Sequence, residues 1–170
     1  MNLTTLGTIH TLISLVALAS GLYLLVRDRE INPRIRLGQV YVITTLLTAL
    51  TGLGIFRHGG FGPPHVLSLL TIAALGVGWV SVNTKFYGRA SRYFEVVAYT
   101  TTLLLFHMIP GFTETLTRLP AGAPIASSPD AAIFQPIYGT IFVVYLIVLG
   151  LQIQHLRKAP AIADDEVARQ

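Results

Sequence analysis

The stretch LTTLGTIHTLISLVALASGLYLLV, residues 3–26, runs for 24 residues without one charge. A helix needs about 20 consecutive apolar residues to cross the hydrocarbon core of a bilayer. This segment is long enough. It lacks a basic leader, exceeds the length of a signal-peptide apolar core, and shows no small-x-small site before Arg27, so it is expected to stay in the membrane. Residues 37–56, 64–84 and 133–154 repeat the same charge-free pattern, and 96–112 does so over a shorter run that Tyr93 and Phe94 extend. The expected fold class is all-α: a polytopic transmembrane helical bundle of five spans, at about 3–26, 37–56, 64–84, 93–112 and 133–156, within one unit over residues 1–158.

Composition agrees. Of 170 residues, 52% are hydrophobic and 12% charged, with a mean hydropathy of +0.63. A soluble domain is about one-quarter charged. No cysteine is present, which excludes disulfides, thiolate ligands, iron–sulfur clusters and covalent c-type haem attachment. A net charge of +4 does not point to nucleic acid, because the basic residues lie in short loops between spans. Arg27, Arg29, Arg34, Arg36, Lys85, Arg89, Arg92, Arg157 and Lys158 fall at one side of the bundle, and Arg57 and Arg118 at the other. The positive-inside rule then predicts an N-terminus outside and a C-terminus in the cytoplasm, in a bacterial inner membrane. Residues 159–170, with Asp164, Asp165 and Glu166, are expected to form a short mobile cytoplasmic tail. Residues 113–132 form a long outer loop rich in Pro, Ala and Ser.

Helices in lipid pack through small and weakly polar residues. Gly7, His10, Ser14, Ala17 and Gly21 share one face of the first span by their 3-4-3-4 spacing. Gly38, Tyr41, Thr45, Thr48 and Gly52 do so in the second, and His65, Ile72, Gly76, Trp79 and Asn83 are the expected line in the third. Thr100, His107, Gly111 and Glu114 mark the fourth, and Gln135, Tyr138, Phe142, Tyr145, Leu149 and Gln152 the fifth. Most such stripes are packing seams.

The histidines carry the functional signal. His155 is expected to be a plain interfacial residue at the inner end of the fifth span. His10, His58, His65 and His107 fall on or beside four different spans, all near the outer face. An ionisable side chain inside a span is costly and usually has an interior partner. Histidine is also a common ligand of metals and haem. Two site readings follow. His10 and His107, at similar depth and each near a glycine (Gly7, Gly111), are candidate axial ligands of one b-type haem that passes single electrons, with Tyr138 and Gln135 beside them and a quinone or redox protein as partner. Alternatively His10, His58, His65 and His107 converge on one zinc or copper ion.

A bland reading stands beside both. His58 and His65 lie near water, His107 sits near a carbonyl left unpaired by Pro110, and His10 can bond a Tyr or Thr across the bundle. The chain is then a cofactor-free membrane subunit or scaffold, as a homo-oligomer or in a larger membrane complex surrounded by lipid. A small transporter is a further class, without the paired broken helices that mark many transporters. Glu114 and Asp130 are candidate oxygen ligands or proton-path groups, and Glu95 is expected to pair at the surface with Arg92 or Arg89. Whether the chain is an enzyme is not legible.

The run IHTLISLVALASGLYLLVRDREINPRIRLGQVYVITTLLTALTGLGIF, residues 9–56, resembles the opening of a bacterial family of predicted membrane proteins of unknown function. That family has a histidine early in the first span, a glycine near its inner end, a basic loop, and a His-Arg-x-x-Gly-x-x-Tyr/Phe-Val entry to the second span. His10, Gly21, Arg36, Gly38, Tyr41 and Val42 follow this pattern, with Ile35 where the family has its second histidine. FGPPHVLSLLTIAALGVGW, with His65, is similar to its third span, and HMIPGFTETLTRLP, with His107, to a later one. The resemblance implies fold and topology more than activity. More distantly, the arrangement resembles the four-helix b-type membrane cytochromes. Those use two histidine pairs at two depths, so histidines near one face imply at most one haem here.

Overall fold

The computed structural model describes residues 4–56, 60–84 and 90–158. Among these, regular structure is helical throughout: α1 (Thr5–Asp28), α2 (Arg36–Leu53), α3 (Pro63–Asn83), α4 (Ser91–Thr101), a π-helical segment (Thr102–His107), α5 (Met108–Leu116) and α6 (Phe134–Lys158). The expected tail 159–170 and the loop cations Arg57, Lys85 and Arg89 lie outside the described residues.

Local chemistry sets the helix ends. Thr4 caps α1, its hydroxyl accepting from the Gly7 N–H at 3.1 Å. Arg29 ends α1 in the left-handed region at φ 63°. The Asn32 side chain accepts from the Arg34 N–H at 2.9 Å and turns the chain into α2. A Cβ on Gly38 would lie 1.8 Å from the Asn32 carbonyl oxygen, so only glycine lets this connection cross α2. Pro63 and Pro64 open α3, where their missing N–H groups cost nothing.

α1 to α4 with its π-helical continuation form a ring of antiparallel neighbours, closed by contact of α1 with the π segment; α6 packs outside, against α4, the π segment and α5. Two glycine notches fix the inner helices. The Tyr41 ring and Leu103 pack at Gly21, and the Tyr99 ring packs at Gly78. Tyr41, Tyr99, Leu24 and Leu103 make the centre of the core.

The outward faces are apolar instead of polar. Leu12, Leu15, Leu70, Trp79, Ile147 and Leu151 are exposed, while Thr45, Thr100, Thr102 and Glu95 are buried. In water this would be inside out; in lipid it is the stable arrangement. Four helical stretches, Thr5–Asp28, Pro63–Asn83, Ser91–Leu116 and Phe134–Lys158, are long and apolar enough to cross a bilayer. The chain is a multi-pass membrane protein. α2, expected over 37–56, ends at Leu53, has 18 residues and carries Arg36 and Gln39 in its first turn, so it is the least apolar of the long helices.

The first- and second-span stripes agree with the burial. The third does not: Trp79 is 60% exposed, and the buried line runs His65, Ser68, Thr71, Leu75, Gly78, Ser81. The apolar side chains of α3 lie all around it, so hydropathy gave no direction, whereas the small polar residues did. The fourth helix continues past residue 112 to Leu116. The loop that follows is held against its end, with the Ala126 N–H donating to the Leu116 carbonyl at 2.9 Å.

Candidate functional site

The bundle has a basic end, where α1 finishes and α2 begins, and a histidine end, where α1 starts and α2 finishes. The histidine end is shaped by the π-helical segment. Thr101 and Thr102 turn their hydroxyls back onto the carbonyls of Val97 and Tyr99, at 2.7 and 2.9 Å. Pro110 supplies no N–H to the carbonyl one turn before it. Both effects weaken the regular ladder where it widens. Such widened turns often mark functional positions. Here it ends on His107, which faces α2 and is buried.

The His107 Nε2 lies 3.2 Å from Thr45 Oγ1. The His107 ring meets the Tyr41 ring edge-on, with centroids 6.3 Å apart, and Tyr41 Oη lies 2.8 Å from Thr102 Oγ1. Thr102 donates to the Tyr99 carbonyl. With that proton assigned, Tyr41 donates to Thr102 and Thr102 to the backbone. His107, Thr45, Tyr41 and Thr102 are all buried, as two hydrogen-bonded pairs joined by the contact of the His107 and Tyr41 rings.

His10 is half-buried, with Nδ1 2.9 Å from Thr51 Oγ1. The Thr51 hydroxyl donates to the carbonyls of Leu47 and Thr48, so it accepts from His10 Nδ1–H. The Nε2 of His10 then carries the lone pair. His10 on α1, His107 on the π-helical segment and Glu114 on α5 all lie toward this end of the bundle. Glu114 itself is exposed and ion-paired with Arg118.

His65 is buried at the start of α3. Its Nδ1 accepts from the Gly62 N–H at 3.1 Å, and its ring lies between Phe56 and Phe61, with centroids 4.6 and 5.2 Å away. His58 lies outside the described residues. His155 is exposed at the end of α6. Among the described residues, no three His, Cys, Asp or Glu side chains gather as a metal-binding group.

The other candidates stand apart. Tyr138 pairs with Thr113 at 2.5 Å and joins α6 to α5, away from the histidines, while Gln135 and Asp130 are exposed. Glu95 departs from its expected surface pairing. It is 1% exposed at the basic end, and receives Arg34 at 2.9 Å and Arg92 at 2.8 Å. Arg92 also holds Glu30 at 2.7 Å. Beside it, Gln152 accepts from Thr100 at 3.0 Å and donates to the Arg29 carbonyl at 2.8 Å.

Sequence reading missed the roles of Thr45, Thr51, Tyr41 and Thr102. Thr45 and Tyr41 were visible as one stripe, but their hydroxyl partners lie some 60 residues away. Compared with known proteins, the chain matches no family model, no curated protein and no solved structure.

Proposed function

We propose that this chain is a proton-handling protein of a bacterial inner membrane, crossing it five times with its N-terminus outside, and that His107 and His10 are its working groups at the outer side. The observation that carries this reading is the buried polar cluster of His107, Thr45, Tyr41 and Thr102. The imidazole can take up and release a proton beside hydroxyls able to donate or accept. Other ionisable groups stand at both ends of the bundle: His10 and Glu114 at the histidine end, and Glu95 with Arg34 and Arg92 at the basic end. Chains of ionisable groups inside a bundle are the usual material of proton relays.

The test is proton entry into vesicles carrying the purified protein and a trapped pH dye, driven by a potassium diffusion potential. Wild-type protein is expected to acidify the lumen. His107→Phe and Tyr41→Phe are expected to remove most of that flux while Phe112→Leu leaves it. Flux unchanged in both cluster variants sinks the reading.

A single-electron carrier with a b-type haem is the second reading, and His10 favours it: Thr51 holds Nδ1 and leaves Nε2 with a lone pair, the arrangement of an imidazole ligand. The Nε2 of His107 is taken up by Thr45 at 3.2 Å in this packing. The notch beside His10 is also filled, with the Gly52 Cβ position 3.5 Å from His10 Cε1 and 2.6 Å from Ser68 Oγ. An absorption spectrum of oxidised and dithionite-reduced protein separates the two. A Soret band with reduced α and β bands would establish the haem; the protein band alone, from haem-replete cells, leaves the proton reading.

A further inference from the structure

Among the described residues, the Nε2 of His65 is a buried side-chain nitrogen with no hydrogen-bond partner, on a residue only 3% exposed. Its other nitrogen accepts from the Gly62 N–H, so the neutral ring carries its proton on Nε2. A buried donor without an acceptor costs about 1–3 kcal/mol, and folded chains rarely leave one. The ring is stacked between Phe56 and Phe61. Phe61 also walls an open apolar groove of about 600 Å³ that runs along α3 past Pro63, Val66, Leu67 and Leu70. Phe61 is 65% exposed, and its ring stacks on the imidazole at the edge of the groove.

We propose that His65, Phe56, Phe61 and this groove bind a membrane-soluble quinone. A quinone carbonyl oxygen supplies the acceptor that Nε2–H lacks, the flat headgroup lies beside the imidazole where the exposed Phe61 ring now stacks, and the isoprenoid tail lies along Val66, Leu67 and Leu70. The volume is in the range of small-molecule sites. An ester carbonyl of a phospholipid offers the same acceptor oxygen. The aromatic pair flanking His65 favours the flat quinone ring over a lipid ester. The site is separate from the His107 cluster, and its occupancy is read without any proton flux, so either proposal can fail alone.

The test is equilibrium binding of a radiolabelled short-tailed ubiquinone to the detergent-purified full chain, with phosphate analysis of co-purifying lipid in parallel. Saturable quinone binding is expected, weakened at least about tenfold in His65→Phe, which keeps the stack and removes the donor; one hydrogen bond to a buried group is worth about that factor. His65→Gln, which retains a donor, is expected to recover part of the loss. Phe61→Leu changes an exposed ring, is not expected to impair folding, and should weaken binding severalfold even if His65→Phe does not fold. Absence of saturable binding, binding unchanged in His65→Phe or Phe61→Leu, or loss of bound phospholipid in place of quinone each overturns the proposal.

Discussion

His107 on the π-helical segment and Thr45 on α2 meet at 3.2 Å inside the bundle, 62 residues apart in sequence. The pair does two things at once. It ties the fourth span to the second, and it holds the imidazole edge-on to the Tyr41 ring. Thr45→Val keeps the volume and removes the hydroxyl. Hydrogen bonds between membrane helices contribute on the order of 0.6 kcal/mol, rising to about 2. The variant is therefore expected to fold, lose about 1 kcal/mol in unfolding from detergent, and lose the vesicle proton flux as fully as His107→Phe. A stable Thr45→Val with wild-type flux would separate the tie from the function.

Glu95 is buried with two arginines on it, so its loss leaves cations without a counter-charge at the junction of α4 with the 29–35 connection. Both arginines are partly exposed, which lets water take over some of the lost interaction. Glu95→Gln is expected to cost about 2 kcal/mol. Thermal unfolding should fall, and salt should lower the wild type more than the variant.

The glycines divide by what lies opposite them. A Cβ on Gly78 would sit 2.7 Å from Tyr99 Cζ, inside the ring of a core residue, whereas nothing approaches a Cβ on Gly76 within 4 Å. Gly78→Ala is expected to destabilise by about 1–3 kcal/mol through overpacking. Gly76→Ala, on the same helix, should be neutral or stabilise by up to about 1 kcal/mol. Chemical denaturation of the two variants side by side checks the contrast.

Topology can be read directly because the chain has no cysteine of its own. Arg36 and Gly60 bracket α2, the least apolar of the long helices, and both are exposed. In intact cells, Gly60→Cys is expected to react with a membrane-impermeant maleimide, and Arg36→Cys only after permeabilisation. Equal labelling of the two would show that α2 does not cross.

How much of this could be read beforehand depends on range. Residues 3–26 reveal a membrane helix by length and lack of charge alone, and the α1 helix over Thr5–Asp28 follows. The seam of α2 through Gly38, Tyr41, Thr45 and Gly52 was also legible, since small and polar residues in lipid turn inward. The seam of α3 departs from the line through Trp79 because an aromatic ring is equally at home against lipid, and small polar residues turn inward instead. What a sequence stripe does not contain is the partner. That Thr45 receives His107 depends on the angular phase of the fourth span, and an unrecognised π turn shifts that phase.

That turn makes the fourth span a register device. One added residue in a helix rotates everything beyond it by about 100°. The polar positions just before it and at its first residue, Thr100 to Thr102, address α6 and Tyr41; the one at its end, His107, addresses Thr45. Shortening the segment by one residue would restore a regular helix with every span intact. It would also carry His107 off the α2 face toward another side of the helix. The segment thus separates the chain's ability to insert from its ability to align: membrane integration is tolerant of this single length change, while the contact between imidazole and phenol is not.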